Sequence, residues 1–176
     1  MNRRNAISNI VVLSIGAVVL PSCGQQDKAL VQLKNFSLTG NEEKLLVQLA
    51  DTIIPKTNFP GAADLKLHEF ILVMVDDCYE PDKQEKFMGG LKKFDQSAKQ
   101  KYGSSFIALT PEQKAAWLSA MESKKEIPAE ALFFYETTKR LLVQGFTTSK
   151  EYMTGVMNYK MVPGSDFKGC VPVKKA

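Results

Sequence analysis

The chain has 176 residues, 44% of them hydrophobic and 24% charged, which is a length for one domain and a composition that folds rather than stays disordered. Its formal net charge of +4 is too small to argue for nucleic-acid binding. With three cysteines and one histidine, no CxxCH haem-attachment site, CxxC pair or multi-histidine metal cluster can be written, and neither GxGxxG nor GxxxxGKS/T occurs. Redox chemistry would therefore need a cofactor carried by another chain.

Arg3 and Arg4 precede an apolar run from Ile10 to Leu20, broken only by Ser14 and Gly16, and Leu20-Pro21-Ser22-Cys23-Gly24 follows. A positive start, a short apolar core and small residues at a cleavage point describe an export signal over residues 1–22. The run is shorter than the roughly 20 residues of a membrane span. Its Leu-x-Ser-Cys ending resembles a bacterial lipobox. Such signals are cut before the cysteine, whose thiol becomes diacylglyceryl-modified, so Cys23 is the expected lipidation site and membrane anchor. An ordinary secretory signal with a chance cysteine is the alternative. Arg3 and Arg4 form a partial twin-arginine export signal, although any positive n-region would contain them. The expected location is outside the cytoplasm, on the periplasmic side of a bacterial membrane and lipid-anchored.

Residues 23–38 are polar at their start and read as a tether. A first helix begins near Asn41. Leu45, Leu46, Leu49, Ile53 and Ile54 give it one apolar face, and Pro55 stops it. Thr57 to Ala62 is a turn. A second helix is expected from Asp64, a good N-cap residue, with Leu67, Phe70, Ile71, Met74 and Val75 facing inward. Asp76 and Asp77 lie near its end, where the helix dipole disfavours them, which leaves two readings for them, a contact role and a solvated end. Pro81 suits the first turn of a third helix, whose buried stripe is Phe87, Leu91, Phe94 and Ala98 and whose lysines form a solvated face. Gly103 ends it.

Thr110-Pro111-Glu112-Gln113 combines a cap, a first-turn proline and the glutamine of a capping box. It opens a fourth helix with Ala116, Trp117, Ala120 and Met121 on its apolar side. Pro128 opens a fifth, carrying Leu132, Phe133, Tyr135, Leu141, Leu142 and Phe146. A short sixth runs from about Ser149 to Tyr159. The expected fold is all-α: a single compact domain of five or six helices over residues 39–176, with an irregular C-terminal tail from Val162.

The order of segments is the more specific signal. Asp51-Thr52-Ile53-Ile54-Pro55, Pro60-Gly61-Ala62, His68-Glu69-Phe70-Ile71, Phe106 to Gln113, Gly145 to Ser149 and Pro163-Gly164 with Gly169-Cys170-Val171-Pro172 succeed one another. Together they resemble the gluconate 2-dehydrogenase subunit 3 family, the small gamma subunit, from about Leu38 to Pro172. The segment Gly145 to Tyr152 departs from the family's usual pattern. The resemblance implies a non-catalytic accessory subunit that helps assembly, export or anchoring. It also implies partners: a large FAD-dependent dehydrogenase and a multihaem cytochrome c subunit, which would carry the FAD and haem c. A free-standing lipid-anchored binding or scaffold protein is the alternative function.

Individual residues carry further expectations. His68, the lone histidine, is a candidate partner contact rather than a haem ligand. Asp76, Asp77, Glu80 and Asp82 lack the spacing of a calcium loop and read as a solvated helix end. Glu42 and Glu43 fit an exposed first turn. Cys78 and Cys170 remain once Cys23 is acylated, and an oxidising compartment makes them a candidate disulfide; two separate buried cysteines are the other reading. Phe133, Phe134 and Tyr135 are candidate partner contacts, although consecutive phenylalanines cannot both face one way.

Overall fold

The computed structural model describes residues 28–124 and 127–161. Six α-helices follow one another there: α1 (Gly40–Ile53), α2 (Leu67–Cys78), α3 (Pro81–Tyr102), α4 (Pro111–Ser123), α5 (Ala129–Thr147) and α6 (Lys150–Gly155), with a 3-10 turn at Phe106–Ala108. Among the described residues there is no strand, only an isolated antiparallel bridge between Lys28 and Thr39.

The helix starts follow local chemistry. Thr39 and Glu42 form a reciprocal capping box on α1, and Thr110 and Gln113 form another on α4, each satisfying backbone N–H groups that have no partner inside the helix. Proline occupies the first turn of α3 and α4. Gly103, at φ 76°, ends α3. The start of α2 differs from expectation. Asp64 does not cap it; its carboxylate instead accepts from the backbone N–H of Gly61 at 3.1 Å and pairs with the Lys56 ammonium. The helix begins three residues later, after Lys66 has taken a left-handed conformation at φ 51°. α6 is also shorter than the sequence suggests.

α3 and α5 are the longest helices and pack along each other, α2 crosses α5, and α1 lies against α2, α5, α4 and the 3-10 turn. Two glycines allow the crossings. A Cβ on Gly90 of α3 would stand 2.3 Å from the Glu130 carbonyl oxygen of α5, and one on Gly145 of α5 would stand 2.8 Å from the Phe70 ring of α2. Both are closer than real Cβ contacts allow: at Gly90 the backbones of α3 and α5 meet directly, and at Gly145 the Phe70 ring of α2 lies against the α5 backbone. From the first crossing a run of rings spreads through the core. Phe134 lies 5.0 Å from Phe87 and 5.6 Å from Phe94; Phe94 lies 5.1 Å from Phe106 and 5.9 Å from Trp117. These centroid separations suit tilted aromatic pairs, and the rings tie α3, α5, α4 and the 3-10 turn together. Ala116, expected on the apolar side of α4, is exposed.

The stretch expected to be a tether is seated on the helices from Lys28 onward. Val31, Leu33, Phe36 and Leu38 pack against the core at partial burial, while Lys28, Leu30, Gln32 and Lys34 face outward. Residues 28–38 therefore form a strap over the ends of α1 and α2. The C-terminal end of α2 is itself closed by Gln84 of α3, whose side-chain amide donates to the carbonyls of Val75, Asp76 and Tyr79 at 3.2, 2.8 and 3.0 Å.

Candidate functional site

Two acidic side chains hold the strap, and neither is where the sequence placed it. Asp76 is 4% exposed, not part of a solvated helix end. It occupies the position one turn after Leu72 and so shares the core face of α2. Its two carboxylate oxygens accept from the backbone N–H groups of Lys34 and Asn35, both at 2.8 Å. Asn35 returns a bond from its side-chain amide to the Asp76 carbonyl at 2.7 Å. Burial opposes ionisation of Asp76, but the backbone N–H groups of Lys34 and Asn35, the Lys34 charge and the Asn35 side chain together outweigh it and hold the carboxyl below its ordinary range. Next to it, Asp77 pairs with the Lys34 ammonium at 3.0 Å on the surface.

Glu43 is likewise buried, at 5% exposure, contrary to the expected exposed first turn. One oxygen accepts from the Leu30 backbone N–H. The other faces His68 Nε2 at 3.7 Å, beyond hydrogen-bonding distance. Burial lowers the His68 pKa and outweighs the upward pull of Glu69 and Glu43, so the imidazole is neutral at pH 7. His68 Nδ1 is buried without a hydrogen-bond partner among the described residues. The pair lines a groove of about 570 Å³ together with Lys28, Leu30, Val47 and Ile107. A histidine beside a carboxylate is two-thirds of a nucleophilic triad, yet the described residues lining this groove include no hydroxyl or thiol to activate. The arrangement holds the strap and supplies a neutral ring to the groove wall.

A second groove, of about 610 Å³, runs between the α2–α3 junction and α5. Phe133 is half-buried on its wall, with the Lys86 ammonium 4.7 Å from the ring centre. Arg140 donates to the Tyr79 hydroxyl across it, and Cys78, Lys83 and Glu136 complete the rim. Of the three aromatic candidates on α5, Phe133 is the one at this surface. Phe134 is fully buried and Tyr135 is 4% exposed, so both are core residues. The Tyr135 hydroxyl donates to Glu122 at 2.6 Å. Desolvation, reinforced by that carboxylate, pushes the phenol far above its usual range, while Lys139 and Tyr135 hold Glu122 below its own.

Cys78 is exposed at the end of α2. Its candidate disulfide partner Cys170, the lipidation candidate Cys23 and the arginines Arg3 and Arg4 lie outside the described residues. Among the described residues no group of three or more histidine, cysteine or acidic side chains is placed to hold a metal ion, and no helix is long and apolar enough to cross a membrane. Sequence reasoning missed Glu43 as an organising residue, and for Asp76 it offered a contact role without the burial or the partners. The available signal was Asp76 itself, an acidic side chain in register with the apolar stripe of α2.

Comparison with known families places the geometry in context. The chain is similar to the family described as gluconate 2-dehydrogenase subunit 3, whose model matches residues 40–164. That span runs from the first residue of α1 past the end of α6. No curated protein and no solved structure matches the chain.

Proposed function

The chain belongs to the gluconate 2-dehydrogenase subunit 3 family, and from that premise we propose that it is the accessory, non-catalytic small subunit of a membrane-tethered, periplasmic, flavin-dependent sugar or sugar-acid dehydrogenase. The family name itself implies a multi-subunit dehydrogenase. In this reading FAD sits on a large partner subunit and haem c on a cytochrome partner. This chain assists assembly, export or anchoring of the flavoprotein, and acylated Cys23 supplies the anchor. The observation that carries the reading is the family match across all six helices.

The groove around Phe133 is the surface we assign to the flavoprotein. Aromatic side chains and arginine dominate interface energetics when desolvated together, and Phe133 and Arg140 share this groove. Lys83 and Glu136 on its rim suit a polar border.

Affinity purification of the full chain from its native membranes is the test. Recovery of a stoichiometric chain with a flavin absorbance spectrum supports the reading, and Phe133→Glu should reduce that recovery at least tenfold while leaving the helical circular dichroism unchanged. A monodisperse monomer with no flavoprotein, from membranes that retain dehydrogenase activity, overturns it and favours a free-standing lipid-anchored scaffold.

A further inference from the structure

We propose that residues 28–38 are a clasped leash that seats the domain on a lipid surface, with Lys28 and Leu30 against the headgroups beside Cys23. The inference rests on the reading of Cys23 as an acylated anchor and adds where, and how closely, the domain meets the bilayer. Lys28 lies five residues beyond Cys23, and Leu38 lies fifteen. Extended chain reaches at most about 3.6 Å per residue, so the two leashes can reach no further than about 18 Å and about 54 Å. An undocked tether would give the longer reach and a loosely hung domain. The docked strap moves the attachment point forward to Lys28 and gives the shorter one.

The clasp has several separate fastenings. Asp76 holds the N–H groups of Lys34 and Asn35, Asn35 bonds back to the Asp76 carbonyl, and Lys34 pairs with Asp77. Glu43 holds the N–H of Leu30, and Lys28 bridges to Thr39. The main chain at Leu30 is therefore tied down, yet its side chain is 91% exposed, the highest value among the large exposed hydrophobic side chains described. Lys28, two residues before it, is exposed as well. An apolar side chain fixed outward beside an ammonium, within one short leash of an acyl chain, fits the headgroup boundary. There the leucine leaves water and the lysine meets lipid phosphate.

The experiment uses the full acylated chain on phosphatidylethanolamine–phosphatidylglycerol vesicles carrying dansyl headgroups. Trp117, the one tryptophan of the chain, is the energy donor. Asp76→Ala combined with Glu43→Ala lengthens the leash about threefold, and the transfer efficiency should fall at least twofold. Leu30→Glu, at an exposed position whose backbone bond survives, tests the contact without threatening the fold and should lower the transfer as well. Amide exchange at Leu30, Lys34 and Asn35 should be slow without vesicles and should become fast in the Asp76/Glu43 variant. Fast exchange in the unmodified chain overturns the clasp. Unchanged energy transfer in both variants overturns the lipid contact. Flotation of Cys23→Ala equal to that of the unmodified chain overturns the anchor reading itself. A chain that floats only through Cys23, yet transfers no better than the unclasped variants, overturns this proposal alone.

Discussion

Gly90→Ala is expected to destabilise the domain although alanine is the better helix former. In an isolated helix the change would stabilise by about 1 kcal/mol. At this crossing the new Cβ would sit 2.3 Å from the Glu130 carbonyl oxygen and 2.7 Å from the Phe134 Cβ. Neither atom lies at the end of a flexible side chain that could swing away. Relief requires α3 and α5 to separate by about 1 Å, which forfeits a quarter to a half of each affected dispersion contact. The Phe87–Phe134 and Phe94–Phe134 ring pairs lie across this same junction. Overpacking of this kind costs about 1–3 kcal/mol, and the weakened rings add to it, so a net loss of about 2 kcal/mol remains after the propensity gain. At about 2–4 °C per kcal/mol for a chain of this size, the midpoint of thermal unfolding should fall by about 4–8 °C. Gly89→Ala is the matched control. Its new Cβ would meet nothing nearer than the Glu130 side chain at 3.8 Å, so it should stabilise by about 0.5–1 kcal/mol. Urea titrations followed by circular dichroism compare the two. Equal stability of Gly90→Ala and Gly89→Ala would refute the close crossing and the reasoning built on it.

Other outcomes follow from the buried polar groups. Asp76→Ala should cost about 2–3 kcal/mol, the value of hydrogen bonds to a charged group plus two orphaned N–H groups, read as a lower urea midpoint. Because its folded pKa is depressed, Asp76 stabilises fully above its unfolded value near 3.9 and loses that contribution as pH falls through the folded one. Asp76→Asn should therefore flatten the stability profile below about pH 4, and an unchanged acid limb would contradict the strap geometry. His68 has a folded pKa below its usual 6.5 because of burial, so the unfolded chain takes up a proton first and stability declines as pH drops below 6.5 towards the folded value. His68→Gln should remove that slope in urea midpoints measured from about pH 7 to pH 5. Gln84→Met keeps the volume but removes the donor to the Val75 and Tyr79 carbonyls at the end of α2, while the Asp76 carbonyl keeps its bond from Asn35. A loss of about 1–3 kcal/mol is expected, together with faster amide exchange in the last turn of α2.

Phe133 and Phe134 are adjacent, so their rings leave the helix in different directions, but the chain alone does not say which of them faces the core. The ring pairs of Phe134 with Phe87 and Phe94 settle it, since that side chain fills the α3–α5 junction and leaves Phe133 at the groove. Tyr135 goes inward with its hydroxyl still satisfied, because Glu122 reaches it from α4. His68 was identified as a residue of interest, but its carboxylate neighbour lies 25 positions earlier in the chain, and no local pattern joins them.

By itself the sequence determined the helices and most of their inward faces. Capping residues, first-turn prolines, the terminal Gly103 and a 3.6-residue apolar period act over a single turn, and Thr110-Pro111-Glu112-Gln113 contains its own partners. The order of those segments was also enough to reveal the family. Only the tertiary structure decided that the strap docks, that Asp76 and Glu43 are buried, and that Gly90 and Gly145 mark helix crossings. The physical reason is range. The Asp76 carboxylate meets backbone N–H groups 41 and 42 residues away, and a backbone N–H is the same at every non-proline position, so no side-chain pattern announces such a bond before the chain has folded.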